Sequence, residues 1–475
     1  MRYKVISNSP GAVWISSTII SDRIDTNYYR ADFIENDIST KNIPTILLKD
    51  ILKSPLTDFG SFSLTKEIEY VSDGIPYIRS SDFKEFFIDE LGMAFISENT
   101  NKILKKSEVL EGDILITKMG SDMGKGAIIN KIPYGSKKCN SNATVAKVRI
   151  KDGIDKYYLV AYLNSKYSVN SVWRNAVGSV QPRVNLADIE SYVIPIPSPE
   201  IQEYIGNKVR MAEGLREEAK RLKKEAEDIF EKEFDIDYSL IEQLPRFSYV
   251  DVNNITTYKL NSEYYHPKYI YLEKQLGKKL INFDKLIENV TNGPHGGVEY
   301  VDSVGVPYLR AQNIDECSVN LDNIVFIKEE DHIKNKRAEV VPGDIIVVIT
   351  GFVGMAGIIP EWIPRANIIQ SLVKVNTKVD VNDKYYLVYY LNSKIGQMFS
   401  FRQASVTVQP GLNFDSLQKV QLVWPEKHIR ESIAIKINAA IEKRHMAENL
   451  ILQAKQDVED LIEEKFDESK IIKES

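Results

Sequence analysis

Apolar residues along this 475-residue chain follow two rhythms, and both occur twice. Short β-branched runs bounded by Gly and Pro, such as IPYIR from Ile75 and GDILIT from Gly112, predict strands. In DKYYLVAYLNSK, from Asp155, residues Tyr158, Leu159, Tyr162 and Leu163 gather on one face at helical spacing. A longer rhythm follows a proline-rich step, IPIPSPE in the first half and VWPE in the second, and predicts a long helix after each. Ala212, Leu215, Ala219, Leu222, Ala226 and Ile229 alternate three and four residues apart. Ile433, Ile437, Ala440, Ala447, Ile451, Ala454, Val458 and Leu461 keep the same heptad, interrupted at Arg444. Two such stripes on heavily charged helices predict an antiparallel coiled-coil pair, each helix of roughly 35 residues being about 50 Å long.

The rhythms recur because the chain repeats itself. DKYYLVYYLNSK, from Asp383, differs from the earlier segment at one position, Ala161 against Tyr389. Gly74-Ile-Pro-Tyr-Ile-Arg79 matches Gly305-Val-Pro-Tyr-Leu-Arg310, and Gly112-Asp-Ile-Leu115 matches Gly343-Asp-Ile-Ile346. Arg174, Val180-Gln181-Pro182 and Asn185 match Arg402, Val408-Gln409-Pro410 and Asn413. The offset falls from 236 residues at the paired tyrosines Tyr28-Tyr29 and Tyr264-Tyr265 to 228 at the later motifs, as small loop insertions produce. So long a period marks a duplicated domain rather than a solenoid repeat. The expected fold is α+β: two pseudo-repeated α/β globules joined by the helix pair about a pseudo-twofold axis. DNA presents half-sites about 34 Å apart per helical turn, so such a helix pair would act as a ruler.

Composition supports a folded soluble protein, with 43% hydrophobic and 27% charged residues. Arg2-Tyr3-Lys4 leads into no apolar signal core, so a cytoplasmic rather than secreted protein is expected. Cys139 and Cys317 form neither a disulfide framework nor a zinc pattern. A net charge of −6 argues against nucleic acid at first sight, but the charge is uneven. Gly135 to Arg183 holds nine Lys/Arg against two Asp, and Arg365 to Gly411 six against two. Each basic stretch fits a phosphate-facing surface or, equally, an ordinary solvated face.

Catalytic signatures are missing. All five histidines lie in the second half, from His266 to His445, so no His-dependent metal or acid–base site is common to both repeats. No two prolines are adjacent and no Pro-Asp pair occurs, which argues against an amino-group DNA methyltransferase loop and a PD-type nuclease core. Gly120-Ser-Asp-Met-Gly-Lys-Gly126 is one residue short of a phosphate loop and ends in Gly where Ser or Thr would bind magnesium.

The ordered set Gly-x-Pro-Tyr-x-Arg, Gly-Asp-Ile-Leu, Tyr-Tyr-Leu-x-x-Tyr-Leu-Asn-Ser and Gln-Pro-x-x-Asn, then a proline-rich step into a long helix, occurs twice over nearly the whole chain. It resembles the specificity subunit of type I restriction–modification systems. The resemblance implies target recognition domains at 1–198 and 237–424, each reading half of a split DNA site, with spacer helices at 199–236 and 425–475. It implies double-stranded DNA and two methyltransferase subunits as partners, with a restriction subunit as a further one, and no membrane. It also implies no cofactor on this chain: S-adenosylmethionine comes with the methyltransferase, and ATP and Mg with the restriction subunit. The sequence departs from many relatives at the helix start, where Glu200-Ile-Gln-Glu203 and Ile429-Arg-Glu431 stand in place of Glu-Gln. A stand-alone tandem DNA-binding or scaffold protein, and a cryptic nuclease or methyltransferase, are the rival readings.

The near-identical segments read as scaffold, since identical residues do not distinguish two half-sites; discrimination belongs where the halves diverge. The candidate DNA-binding residues follow. Arg79-Ser80-Ser81 faces Arg310, with Gln312 and Asn313. Arginine suits guanine, and Gln or Asn suits adenine, although a phosphate clamp or internal salt bridge serves equally for the arginines. Lys118, Ser121 and Lys125 face Thr350 and Phe352 after the same strand, and Ser61 faces His295 in Gly-containing loops. Ser179, Gln181 and Arg183 face Thr407 and Gln409; the glutamines suit bases, phosphates or their own loop. Arg174 and Arg402 are expected at phosphates.

Overall fold

Tyr158, Leu159, Val160, Ala161, Tyr162 and Leu163 are all buried, and so are Tyr386, Leu387, Val388, Tyr389, Tyr390 and Leu391. The repeated motif is therefore the centre of each globule. The structure, a computed structural model, describes residues 3–8, 11–15, 20 and 25–473, apart from 61, 85, 179–180, 248, 257–258, 303, 316 and 406–408. It is an α+β chain that divides into two units, 1–215 with 446–475, and 216–445. The division falls within both long helices, Pro199–Phe234 and Lys427–Ile462.

In the first unit, strand Ile114–Thr117 is the middle of an antiparallel sheet between Gly126–Ile128 and Val145–Val148. A five-stranded sheet has Ile75–Ile78 at its centre, antiparallel to Ala94–Ile96 and parallel to Cys139–Ser141. Helix Lys156–Leu163 covers the first sheet. The Tyr158 and Tyr162 hydroxyls donate to the carbonyls of Pro195 (2.9 Å) and Val193 (2.7 Å), tying the helix to strand Val193–Pro195 just before the long helix. Asn164 donates to the Gly126 carbonyl at 2.8 Å and so fixes the helix end to the sheet. Burial and paired hydroxyls explain why both tyrosines occur there: a buried phenol without a partner costs about 1–3 kcal/mol.

The second unit has the same order of elements. Strand Ile345–Val348 lies between Ala356–Ile358 and Leu372–Thr377, with Ile287–Asn292 added beyond the latter. Val306–Leu309 runs parallel to Ala366–Ile368 in its five-stranded sheet. Within helix Val381–Asn392, the Tyr386 and Tyr390 hydroxyls donate to Val423 (2.7 Å) and Gln421 (3.0 Å). Asn392 donates to the Ala356 carbonyl at 2.7 Å.

Long-helix packing is antiparallel within each unit. In the first, Ile205, Val209 and Ala212 share a core with Ala447, Ala454 and Val458, and Lys208 pairs with Asp457. In the second, Ala226 and Phe230 share a core with Ile433 and Ile437, while Glu225 pairs with Lys436 and Glu218 with Lys443. Small residues at Ala212, Ala219 and Ala226 are buried on the heptad face, as close helix packing requires.

Candidate nucleic-acid interface

Main-chain hydrogen bonds draw the divergent loops of the first unit together. The Asn142 N–H donates to the Ile78 carbonyl (2.9 Å), Lys118 to Thr144 (2.7 Å) and Val184 to Lys118 (3.0 Å). Val177 and Arg183 exchange two bonds of 2.9 Å, and Lys147 donates to Thr57 at 2.8 Å. The loops containing Asp58, Arg79, Lys118 and Arg183 therefore meet at one edge. Gly124, at φ +90°, lets the third loop close on helix Lys166–Asn175; a Cβ there would lie 2.7 Å from the Val172 side chain.

Most cations on this edge are already committed. Arg79 bonds Asp82 through Nη2 at 3.0 Å and the Gly92 carbonyl at 2.9 Å, and Asp82 also accepts from the Ser81 hydroxyl. Lys118 is buried against Asp58. Lys125 pairs with Asp122 at 2.7 Å, and exposed Ser121 donates to the same carboxylate. Ser80 is half-buried, while Ser81, Gln181 and Arg183 are exposed. Among the described residues, the Arg183 side chain has neither an ion pair nor a hydrogen bond to protein. Ser61, Ser179 and Thr407 lie outside the described residues.

The second unit builds the same edge with other side chains. Ile369 donates to the Leu309 carbonyl (3.1 Å), Ile349 to Ser371 (2.9 Å), Leu412 to Ile349 (2.8 Å) and Gly351 to Pro410 (3.0 Å). Gly293 begins the loop that carries exposed His295; a Cβ on Gly293 would sit 1.9 Å from the Ile368 carbonyl oxygen, so no other residue fits. Arg310 bonds the Asn323 carbonyl, but its partner position is Asn313, a neutral residue, and the buried Arg310 Nε has no hydrogen-bond partner. Gln312 and Gln409 are exposed, Thr350 is half-buried, and Phe352 projects with 78% of its surface exposed. Behind Thr350 a cavity of about 410 Å³ opens between Lys259, Ser405, Gly411 and Lys419.

Arg174 and Arg402, expected at phosphates, lie in the interior instead. Arg174 is 7% exposed; its Nε donates to the Tyr28 carbonyl at 2.9 Å, its Nη1 pairs with Asp37, and its guanidinium stacks 4.1 Å above the Tyr28 ring. Arg402 is 5% exposed, donates to the Tyr264 carbonyl at 2.9 Å and bonds Glu273 at 2.7 Å and Gln421 at 2.9 Å. Each arginine clamps the paired-tyrosine segment to the last turn of the helix that precedes the 177–184 or 405–411 loop. The sequence offered no hint of this, because the carboxylates stand more than 120 residues away. The Lys118–Asp58 pair, 60 residues apart, and the lysines of the cavity were missed because partners distant in the chain leave no local signal. Among the described residues, no three His, Cys, Asp or Glu side chains come together as a metal site, and no helix is long and apolar enough to cross a membrane.

A paired array of loops on α/β supports, rich in hydrogen-bonding groups at its tips, defines a class of surface suited to reading a polar polymer edge. Residues 21–214 match the family model of the type I restriction modification DNA specificity domain. The type I restriction enzyme MjaIX specificity subunit of Methanocaldococcus jannaschii is 22% identical over 410 residues, covering 81% of this chain and 84% of that one. Among solved structures, the S subunit of a type I restriction-modification system from M. genitalium aligns over 90% of this chain and 97% of its own, at 12% identity and a TM-score of 0.44. The HsdS subunit from Thermoanaerobacter tengcongensis aligns over 89% and 97%, at 13% identity and a TM-score of 0.28.

Proposed function

We propose that this chain is the DNA-reading subunit of a type I restriction–modification complex, with its two loop edges reading the two unlike halves of a bipartite site. The observation that carries this reading is the repeated main-chain ladder under divergent side chains. Lys118, Asp58, Asp82 and Arg183 in one unit correspond to Ile349, Asn292, Asn313 and Gly411 in the other. One framework with two sets of tips suits a split, asymmetric target. Tip residues such as Arg183, Gln181, Gln312 and Phe352 have the exposure that base or phosphate contacts need. Arg174 and Arg402 act from the inside by holding the loops in place.

On this reading the chain is not itself catalytic. It brings two adenine-N6 methyltransferase subunits to the site, and the long helices serve as spacer and docking surface. S-adenosylmethionine is bound by those partners, and ATP and Mg by a restriction subunit where one joins. Two observations support the spacer role: both helices run 36 residues, about 54 Å at 1.5 Å per residue, and they pack antiparallel within each unit.

The test is to co-express the chain with a type I methyltransferase subunit from the same genome and to map methylated adenines in host DNA. A split motif with a fixed gap is expected. Exchanging residues 44–198 for another recognition domain should then change one half-site alone. A change in both halves would contradict separate readers, and methylation by the chain without a partner would overturn the non-catalytic role.

A further inference from the structure

The two loop edges differ most where the ladder turns back. At this register the first unit carries Arg183, an exposed side chain, and the second carries Gly411, beside which the 410 Å³ cavity opens. Thr350 and Gly411 are paired through the main chain, so the cavity belongs to the reading edge rather than to the back of the unit. Resting on the DNA-reading role above, we propose that this cavity holds one phosphodiester of the DNA backbone between Lys259 and Lys419.

Three features fit this ligand. Both lysines are half-buried in the wall, and Asp415 is the single carboxylate among the described lining residues, so these residues give the cavity a cationic lining. Lys259 donates to the Gln403 carbonyl at 2.6 Å, which fixes its ammonium in the wall. Burial, and then the like charge of Lys419, pull the Lys259 pKa below the ordinary lysine range; an anion between the two would relieve both effects. Thr350 and Ser416 add hydroxyl donors. The first unit lacks the device, since Ser191 stands at the register of Lys419.

The experiment measures affinity of the full chain, with its methyltransferase subunit, for DNA carrying both half-sites, as a function of salt. For one phosphate shared by two lysines, Lys259→Gln together with Lys419→Gln should reduce the salt slope by about 0.9. Over a tenfold salt range, wild-type affinity should then fall about eightfold further than that of the double variant. A neutral methylphosphonate at one linkage of the second half-site should reproduce this loss with the wild-type protein, which needs no mutation, and add nothing in the double variant. An unchanged slope, a reduction near 1.8 with additive single variants, or methylphosphonates that weaken wild type and double variant alike would overturn the shared site while leaving DNA reading intact. Equal binding of site and random DNA by the wild-type complex would overturn the DNA-reading role, and the site with it.

Discussion

The two units solve the same joints with different chemistry. At the start of the first long helix, Gln202 donates to the Pro197 carbonyl at 2.9 Å and accepts from the Asp155 N–H at 3.1 Å. Asp155 is meanwhile paired with Arg210, two turns further along. At the same register in the second unit, Arg430 does both jobs: it bonds the Pro425 carbonyl and holds Asp383 through two bonds, at 2.7 and 3.0 Å. The main chain is repeated and the side-chain locks are not. What a duplicated scaffold retains is the set of main-chain positions to be satisfied; each copy meets it with the residues it has.

This comparison can be broken at the arginine clamps. Arg402→Ala removes the charge partner of Glu273, leaves it the bond from Gln421, and removes the cover of two tyrosine rings, at 4.4 and 5.2 Å, so a loss of about 3 kcal/mol is expected in denaturant unfolding. Arg174→Ala, with fewer partners, should cost about 2 kcal/mol. Equal and negligible effects would mean that neither clamp supports its unit.

Interconverting the units sharpens it further. Asp58→Asn leaves the Lys118 ammonium uncompensated in a site where its side chain is 10% exposed, and should destabilise by about 2–3 kcal/mol. Adding Lys118→Ile recreates the Asn–Ile combination of the second unit and should recover most of the loss, because an apolar replacement of a buried pair is often neutral. No recovery would show that the two edges are packed differently beneath their shared ladder.

At the tips, Arg183→Ala should weaken discrimination at the first half-site by about 1–3 kcal/mol and leave the second unchanged, as read by competition binding. A uniform loss across sequences, with the salt slope reduced by about 1, would assign it to phosphate instead.

The smallest expected effect is electrostatic. Glu463 accepts from Lys166 at 2.6 Å and Tyr167 at 2.9 Å, and these bonds, with Lys465, bring its pKa down to about 2. Because the folded-state pKa is depressed, the contribution is present above about pH 4.5 and is lost as pH falls towards 2. Lys394, at the register of Lys166, lies over the Tyr238 ring at 4.2 Å and reaches exposed Glu242 at 3.7 Å, so the depressed carboxylate belongs to the first unit. Acid unfolding of Glu463→Gln should differ from wild type by a few tenths of a kcal/mol above pH 4.5 and merge with it near pH 2.

How far the sequence revealed this architecture follows from the range of each interaction. The tyrosine-rich core helices were legible because their burial is written at local spacing and repeated. The long helices were legible because heptads and prolines are local signals too. Arg174, Arg402 and Lys118 were not, since a lone cation in a basic stretch looks the same whether it meets a distant carboxylate or solvent. The cavity beside Gly411 was hidden for a similar reason: Lys259 and Lys419 are 160 residues apart in the chain.

The ladder beneath the loop tips uses N–H and carbonyl groups, which nearly every residue type possesses. Exchanges at the tips therefore leave its bonds in place, except where geometry forbids a side chain, as at Gly293. Mutational tolerance and target choice then reside in the same few positions. If the tips read DNA as proposed, a lineage carrying this chain can drift towards new recognition sequences in small steps, without first losing the fold that displays them.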